Sequence, residues 1–452
     1  MADSTVRVDV PGGPGGGVTQ EDVAISALGP CRFDSPVAAH LGDSALCFVG
    51  AADQVLVDDR RSQLPADAGE LARLPAFELA GPRKHVFFNP KKARAGIVTC
   101  GGLCPGLNNV IRGLVFELWF AYGIRRIFGL RFGYEGLITE GKTPLELTPE
   151  VVLHIHEQGG TILGSSRGNQ DAAKMVSFLE ARGIDMLFVV GGDGTIRGAQ
   201  EIAAEVKRRG LAIGVVGIPK TIDNDIHFID RSFGFESAYS AAVDIIRTAH
   251  VEATGAKDGI GLVKVMGRHS GFVACNAVLA SGRVDLVLIP EMPLALEGNH
   301  GVLAFLERIL NRQGYAVVLV AEGAAQDVLA PASEKDKSGN AKLADVGTYL
   351  RDKINRHFSA LGREITLKYI DPSYTIRSVP ATPSDSVYCW NMARNAVHAA
   401  MAGNTEMLIG RWHGRFVHVP MALATRVRKQ VDLQEDLWMS VIEATGQPRG
   451  FE

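Results

Sequence analysis

Two short turns in the sequence carry residues able to move a phosphoryl group. The first is Gly191-Gly192-Asp193-Gly194-Thr195, directly after the apolar run Met186-Leu187-Phe188-Val189-Val190. Its glycines let the backbone turn sharply and approach a ligand closely. A helix starting there presents unpaired N–H groups and a partial positive charge, and Asp193 can hold a divalent cation against phosphates. The second is Pro219-Lys220-Thr221-Ile222-Asp223-Asn224-Asp225, delivered by the run Ile213–Ile218. On an extended backbone Thr221, Asp223 and Asp225 project to one side. Phosphoryl transfer to an alcohol needs one carboxylate to take the proton, another to hold a metal against the phosphates, and cations around the migrating group. Alone, the second turn reads as an Asx-rich helix cap; two such turns at strand ends together favour a site.

Cations are at hand. Arg167 lies in Leu163-Gly164-Ser165-Ser166-Arg167-Gly168 and Arg268 in Met266-Gly267-Arg268-His269-Ser270-Gly271. Each alone is an ordinary surface arginine, but a guanidinium next to glycine is sterically free to meet phosphate with two bonds. Glu322 follows the run Tyr315–Ala321, at the strand end where α/β folds place ligands. His269 is read as a packing group rather than a base. A further turn, Gly101-Gly102, is a weak signal alone, because many α/β folds use one only to pack a helix on a sheet.

The elements that must carry these turns alternate. Ala95–Cys100 reads as a strand, followed by a glycine turn to Asn109 and a helix rich in Val110, Ile111, Leu114, Val115, Leu118 and Trp119. Further strands are expected at 125–130, 186–190, 213–218, 260–266, 285–289 and 315–321, and helices near 172–182, 195–209 and 236–250. This is an α/β pattern: two Rossmann-like doubly wound parallel-sheet domains with an N-terminal extension. The expected divisions are 1–92, a partly disordered extension whose tail, residues 1–20, includes the glycine-rich run Pro11–Gly17; 93–235; 236–410; and 411–452, a C-terminal segment packing on the body. Residues 332–342 are charged and small and read as an exposed loop.

Composition narrows the class. A chain of 452 residues exceeds one ordinary core and is expected to divide into two or three domains, and 46 % apolar residues make a sizeable core possible. With 47 basic and 50 acidic residues the net charge is −3, which gives no reason to expect nucleic acid or an anionic membrane as a partner. The six cysteines lack paired metal-type spacing and read as reduced thiols. The first ten residues carry Asp3 and Asp9 and no apolar core of a signal peptide. No run approaches the ~18 apolar residues that span a bilayer. A cytoplasmic protein is expected.

Taken in order, Gly101–Asn109, Gly164–Gly168, Gly191–Thr195, Pro219–Asp225 and Met266–Gly271 resemble the motifs of the 6-phosphofructokinases, from about Phe87 to about Gly410. The segment Lys368–Arg377 and the long extension are similar to the subgroup of plant and trypanosomal ATP-using enzymes, with diphosphate users more distant. The resemblance implies that Asp223 is the base for the C1 hydroxyl of fructose 6-phosphate, with Thr221 and Ile222 beside the sugar. Asp193 would bind Mg²⁺, aided through water by Asp225. Gly102, Arg167, Gly168, Gly192, Asp193, Gly194 and Thr195 would meet ATP. Met266, Gly267, Arg268, Glu322, Tyr374, Thr375, Ile376 and Arg377 would hold the sugar phosphate. It further implies that 93–235 binds the nucleotide and 236–410 the sugar phosphate, with the active site in the cleft between them. A homodimer or homotetramer is expected.

Three positions depart from the bacterial pattern. Tyr374 stands where a histidine is expected, Lys368 where an arginine is, and Gly259 where an arginine reaches in from a neighbouring subunit. Allosteric behaviour is therefore not carried over. The phosphoryl donor turns on Gly194 and Lys220. Diphosphate users carry aspartate at the first, which would crowd and repel the α-phosphate of ATP; they carry lysine at the second. A blocking side chain discriminates more strongly than one that can move aside, so ATP is expected. The alternatives are a diphosphate-dependent enzyme of the same fold and a non-catalytic regulatory subunit. A lipid or NAD kinase would share the Gly191–Thr195 turn but would not need the other motifs.

Overall fold

The structure, a computed structural model, describes residues 7–8, 17–38, 48–138, 143–329 and 343–451. Most of the expected glycine-rich tail and all of the expected loop 332–342 lie outside the described residues. The main elements run in chain order: β1 Arg94–Thr99, α1 Leu107–Phe116, β2 Arg126–Leu130, β3 Leu145–Glu146, α2 Ala172–Arg182, β4 Met186–Gly191, α3 Asp193–Arg208 and β5 Gly214–Pro219. After them come α4 Phe235–Thr254, β6 Gly259–Val265, α5 Phe272–Ser281, β7 Leu286–Leu288, α6 Val302–Gln313, β8 Tyr315–Ala321, α7 Val346–Ala360 and β9 Thr366–Ile370. Last are α8 Pro383–Met401, β10 Met407–Trp412, β11 Arg415–Pro420 and α9 Asp436–Thr445.

The chain divides into two compact units. The first holds Met1–Thr221, Ile226–Gly234 and Pro380–Arg428. Its seven-stranded sheet has the order β11-β10-β5-β4-β1-β2-β3, parallel except for its outer pairs β11–β10 and β2–β3. The central strands are continuous apolar runs, and β4 and β5 are buried along their whole length, as strands covered on both faces must be. From β1 the chain crosses to β2 in one direction and from β4 to β5 in the other. Right-handed crossovers then put α1 and α3 on opposite faces of the sheet. Local chemistry sets the helix ends. Asp171 caps α2 by accepting from Lys174 N at 3.2 Å, and Gly183 ends it in the left-handed region at φ 62°.

The N-terminal extension belongs to this first unit. Ser26–Ala27 pairs antiparallel with Asn404–Thr405, and Leu79 bridges Val417. Pro380–Arg428 also returns to it, whereas the sequence divisions leave that stretch in the second domain and the C-terminal segment. The reason is the hairpin β10–β11, whose first strand pairs parallel with β5 and extends the large sheet.

The second unit holds Ile222–Asp225, Phe235–Val379 and Lys429–Glu452. Its sheet has the order β7-β8-β6-β9, all parallel. Here too the connections β6 to β7 and β8 to β9 run in opposite directions, so this sheet is also doubly wound.

Candidate active site

In the first unit, three loops leave the sheet side by side. Thr99 of β1 pairs with Val190 of β4, and Gly191 pairs with Pro219 of β5. The order of strands reverses between β1 and β4, which is where open α/β sheets bind ligands. Gly101, at φ 86°, turns the first loop. Its N–H donates to the Ser166 carbonyl at 2.9 Å and its carbonyl accepts from Ser165 Oγ at 2.6 Å. That brings the Gly101-Gly102 turn to the segment bearing Arg167 and Gly168, both exposed. Lys220 ties the third loop to the other two: its N–H donates to the Gly191 carbonyl at 2.9 Å, and its Nζ to the Gly102 carbonyl at 2.5 Å. The lysine is buried.

Asp193 opens α3, with Gly192 as its N-cap, two residues earlier than the expected start. Asp193, Gly194 and Thr195 are thus the first helical turn, where N–H groups lack intrahelical partners. Two arginines face the Asp193 carboxylate: Arg197 Nε at 3.3 Å and an Arg428 nitrogen at 3.5 Å. The spacing of Asp193 and Arg197 is a helical i,i+4 pair and could be read from sequence; nothing local signals Arg428. Tyr134 donates its hydroxyl to the Thr195 carbonyl at 2.6 Å, fixing the same turn from beneath. An added Cβ at Gly194 would meet nothing within 4 Å, and Gly194 is not among the positive-φ glycines. Neither packing nor backbone conformation therefore requires glycine at 194.

In the second unit, Asp223 is held by the arginine loop. Ser270 Oγ donates to the Asp223 carbonyl at 2.9 Å, and Lys429 N–H donates to the Asp225 carbonyl at 3.0 Å. Asn224 between them is left-handed at φ 54° and buried. The expected extended run is therefore broken at 224, and the simple alternation of Asp223 with Asp225 does not apply. Asparagine tolerates this conformation better than most side chains, which a bare alternation rule ignores.

The strands β6 and β8 end in register, Val265 opposite Ala321. Beyond them Glu322 N–H donates to the Val265 carbonyl at 2.9 Å, and Gly323 N–H to the Gly267 carbonyl at 3.0 Å. Met266, Gly267, Arg268 and Glu322 are thereby brought together. Burial pushes the Glu322 carboxyl up, while the charges of Lys264, Arg268 and Arg377 pull it down. Arg377 stacks over the ring of Tyr374 at 4.6 Å, and Tyr374 is 76 % exposed. Thr375 is exposed, but Ile376 is fully buried and Ile222 nearly so. The side chain of Ile376 belongs to the core, leaving its backbone for any ligand. Lys264, which the sequence did not single out, sits between Asp371 at 2.9 Å and Asp345 at 3.1 Å. At Gly259 an added Cβ would overlap the Ala253 carbonyl, so packing admits no side chain there. Among the described residues no helix is long and apolar enough to cross a membrane.

Parallel sheets with phosphate-competent turns at their switch points define a class of α/β enzymes acting on phosphorylated ligands. Comparisons narrow the class. The family signature described as Phosphofructokinase matches residues 94–400. The chain is 51 % identical over 440 residues to the ATP-dependent 6-phosphofructokinase of Amycolatopsis methanolica, covering 95 % of this chain and 96 % of that one. It is 43 % identical over 433 residues to the ATP-dependent 6-phosphofructokinase of Trypanosoma brucei brucei, covering 95 % and 88 %. The crystal structure of a pyrophosphate-dependent phosphofructokinase from Marinobacter aquaeolei superposes with a TM-score of 0.65 at 19 % identity, over 78 % of this chain and 91 % of that one, and supports the fold. The chain belongs to the phosphofructokinase family.

Proposed function

We propose that the protein is an ATP-dependent 6-phosphofructokinase of glycolysis, transferring the γ-phosphoryl group of ATP to the C1 hydroxyl of fructose 6-phosphate. One observation carries the assignment of the base. The peptide carbonyl of Asp223 is bonded to Ser270 in the loop of Arg268, which supports reading Asp223 as the proton acceptor next to a loop whose arginine suits a sugar phosphate. Met266, Gly267, Arg268 and Glu322 hold the sugar phosphate, and Tyr374 and Arg377 its 6-phosphate end.

The switch-point loops of the first unit hold the nucleotide. Gly102, Arg167, Gly168, Gly192, Gly194 and Thr195 meet its phosphates, using the free N–H groups of the first turn of α3. Asp193 fits Mg²⁺ as a single carboxylate at that turn, since Mg²⁺ is ordinarily held by one or two carboxylates together with substrate phosphates. There it would neutralise charge on the phosphates. Arg197 and Arg428, which face the Asp193 carboxylate, are cations that could meet the phosphates beside it.

The donor choice rests on Gly194. With open space around its missing Cβ, the glycine has no packing reason to be there, and room for the α-phosphate of ATP supplies one. Lys220, by contrast, has a structural role on the Gly102 carbonyl, so its presence does not select diphosphate. The enzyme acts in the cytoplasm as a homodimer or homotetramer. The test of the base is Asp223→Ser. Turnover should fall by about 10²–10⁴-fold while fructose 6-phosphate still binds; undiminished turnover would remove Asp223 from the mechanism. Parallel assays with ATP and inorganic diphosphate decide the donor.

A further inference from the structure

A cavity of about 650 Å³, lined by none of the motif residues above, opens in the second unit between α6 and the segment after α9. His300, Phe305, Arg308 and Arg449 line it, together with the backbone of Gly446–Gly450. Its volume is that of an ordinary small-molecule site.

Its cations are unusual in what surrounds them. Arg308 lies 5.4 Å from the ring centre of Phe305 and gives a long hydrogen bond, 3.3 Å, to the Asn299 carbonyl. Arg449 leans on the Met439 sulfur at 3.1 Å. Among the described residues neither arginine, nor His300, has a carboxylate within ion-pair distance. Both guanidiniums are thus poised over apolar groups with donors to spare, around a cavity that also offers an aromatic ring.

The wall opposite α6 is fixed from below. Gln447 is buried and clamps the edge strand β7, donating to the Val287 carbonyl at 3.1 Å and accepting from Val287 N–H at 2.8 Å. Trp438, fully buried, donates Nε1–H to the Arg449 carbonyl at 3.3 Å. Phe451 tucks under Phe305 with ring centres 5.6 Å apart, and its N–H donates to the Pro293 carbonyl at 3.1 Å. A short loop with hydrogen bonds at both ends presents its arginine in one place, which lowers the ordering cost of binding.

We propose that this cavity is a second ligand site, separate from the phosphotransfer site, for a phosphorylated small molecule. The phosphate would be forked by Arg308 and Arg449, and the organic part would lie on Phe305. The probe is inorganic tripolyphosphate, titrated calorimetrically into the full chain and followed by hydrogen–deuterium exchange. Exchange at residues 446–450 should slow as the probe binds. Arg308→Ala with Arg449→Ala should weaken that binding component by at least about tenfold and abolish the slowing, with KM for ATP and fructose 6-phosphate unchanged. Both arginines are exposed, so the fold should survive, and exchange in the unaltered chain needs no variant. Unchanged exchange at 446–450 under saturating probe, or equal affinity in the double variant, would overturn the site.

Discussion

Ser270 Oγ donates to the carbonyl of Asp223 at 2.9 Å, so the proposed base and the arginine loop that would grip the sugar phosphate are pinned to one another through the main chain. Ser270 is completely buried. Ser270→Ala should leave the Asp223 carbonyl short of this donor and loosen the base by roughly 1 kcal/mol of lost hydrogen bonding. The expected outcome is a fall in kcat of several-fold with a modest rise in KM, and a fold intact by circular dichroism. Equal kcat in the variant would mean that the base is positioned by other contacts.

Gly194→Asp tests the donor. A Cβ at 194 meets nothing within 4 Å and the backbone there is not left-handed, so the melting temperature should hardly change. The carboxylate would meet the α-phosphate instead, and kcat/KM for ATP should drop by about tenfold or more. Initial rates over a range of ATP concentrations provide the check.

Glu117 offers a pH test of stability. It opens the π-helical turn Glu117–Ala121 and lies partly buried next to the fully buried His398, whose Nε2 is 3.6 Å away. Burial pushes its carboxyl up to about 7, against the charge of Arg394. A raised carboxyl means that the folded chain holds its proton more tightly than the unfolded chain. Its contribution to stability is therefore fully present below about pH 4.5 and is lost as pH rises through about 7. The burial that lowers His398 to about 3 works in the opposite direction with pH, so the informative quantity is the difference between the parent and Glu117→Gln. That difference should grow in favour of the variant from pH 4.5 to 7.5, by up to about 3 kcal/mol, in urea titrations. A flat difference would mean that the carboxyl titrates normally.

Gly106 tests the packing that aims the first glycine loop. It is left-handed at φ 96°, and a Cβ there would lie 2.7 Å from Cys389 Sγ and 3.0 Å from the Phe233 ring. Gly106→Ala should destabilise the chain by about 1–3 kcal/mol through strain and overpacking. Denaturant midpoints would record it.

What could be read from the sequence follows burial. The strand Tyr315–Ala321 and the helix Ala172–Arg182 coincide with expectation residue for residue, one because it is an unbroken apolar run and the other because Asp171 and Gly183 mark its ends. The strand β9 escaped notice because Thr366–Ile370 is a partly exposed edge with no continuous apolar run. The hairpin β10–β11 carried a usable signal. His413 and Gly414, both at positive φ, close it between Trp412 and Arg415, the conformation that short hairpins favour. Within the site, the glycine turns and acids were visible as local motifs. Ser270 on Asp223, Lys220 on Gly102 and Arg428 on Asp193 were not, because each contact joins segments that only the fold brings together.

The second unit is assembled from three separate stretches, and the polypeptide changes unit at 221/222, 225/226, 234/235, 379/380 and 428/429. A gene fragment ending at any of the first four joints would therefore encode no intact half of the molecule, and one ending at 428 would carry the first unit only together with most of the second. Truncation is a poor way to study either half alone, and a nascent chain leaving the ribosome cannot complete even the large sheet until β10 and β11, which follow residues 235–379 of the second unit, have been made.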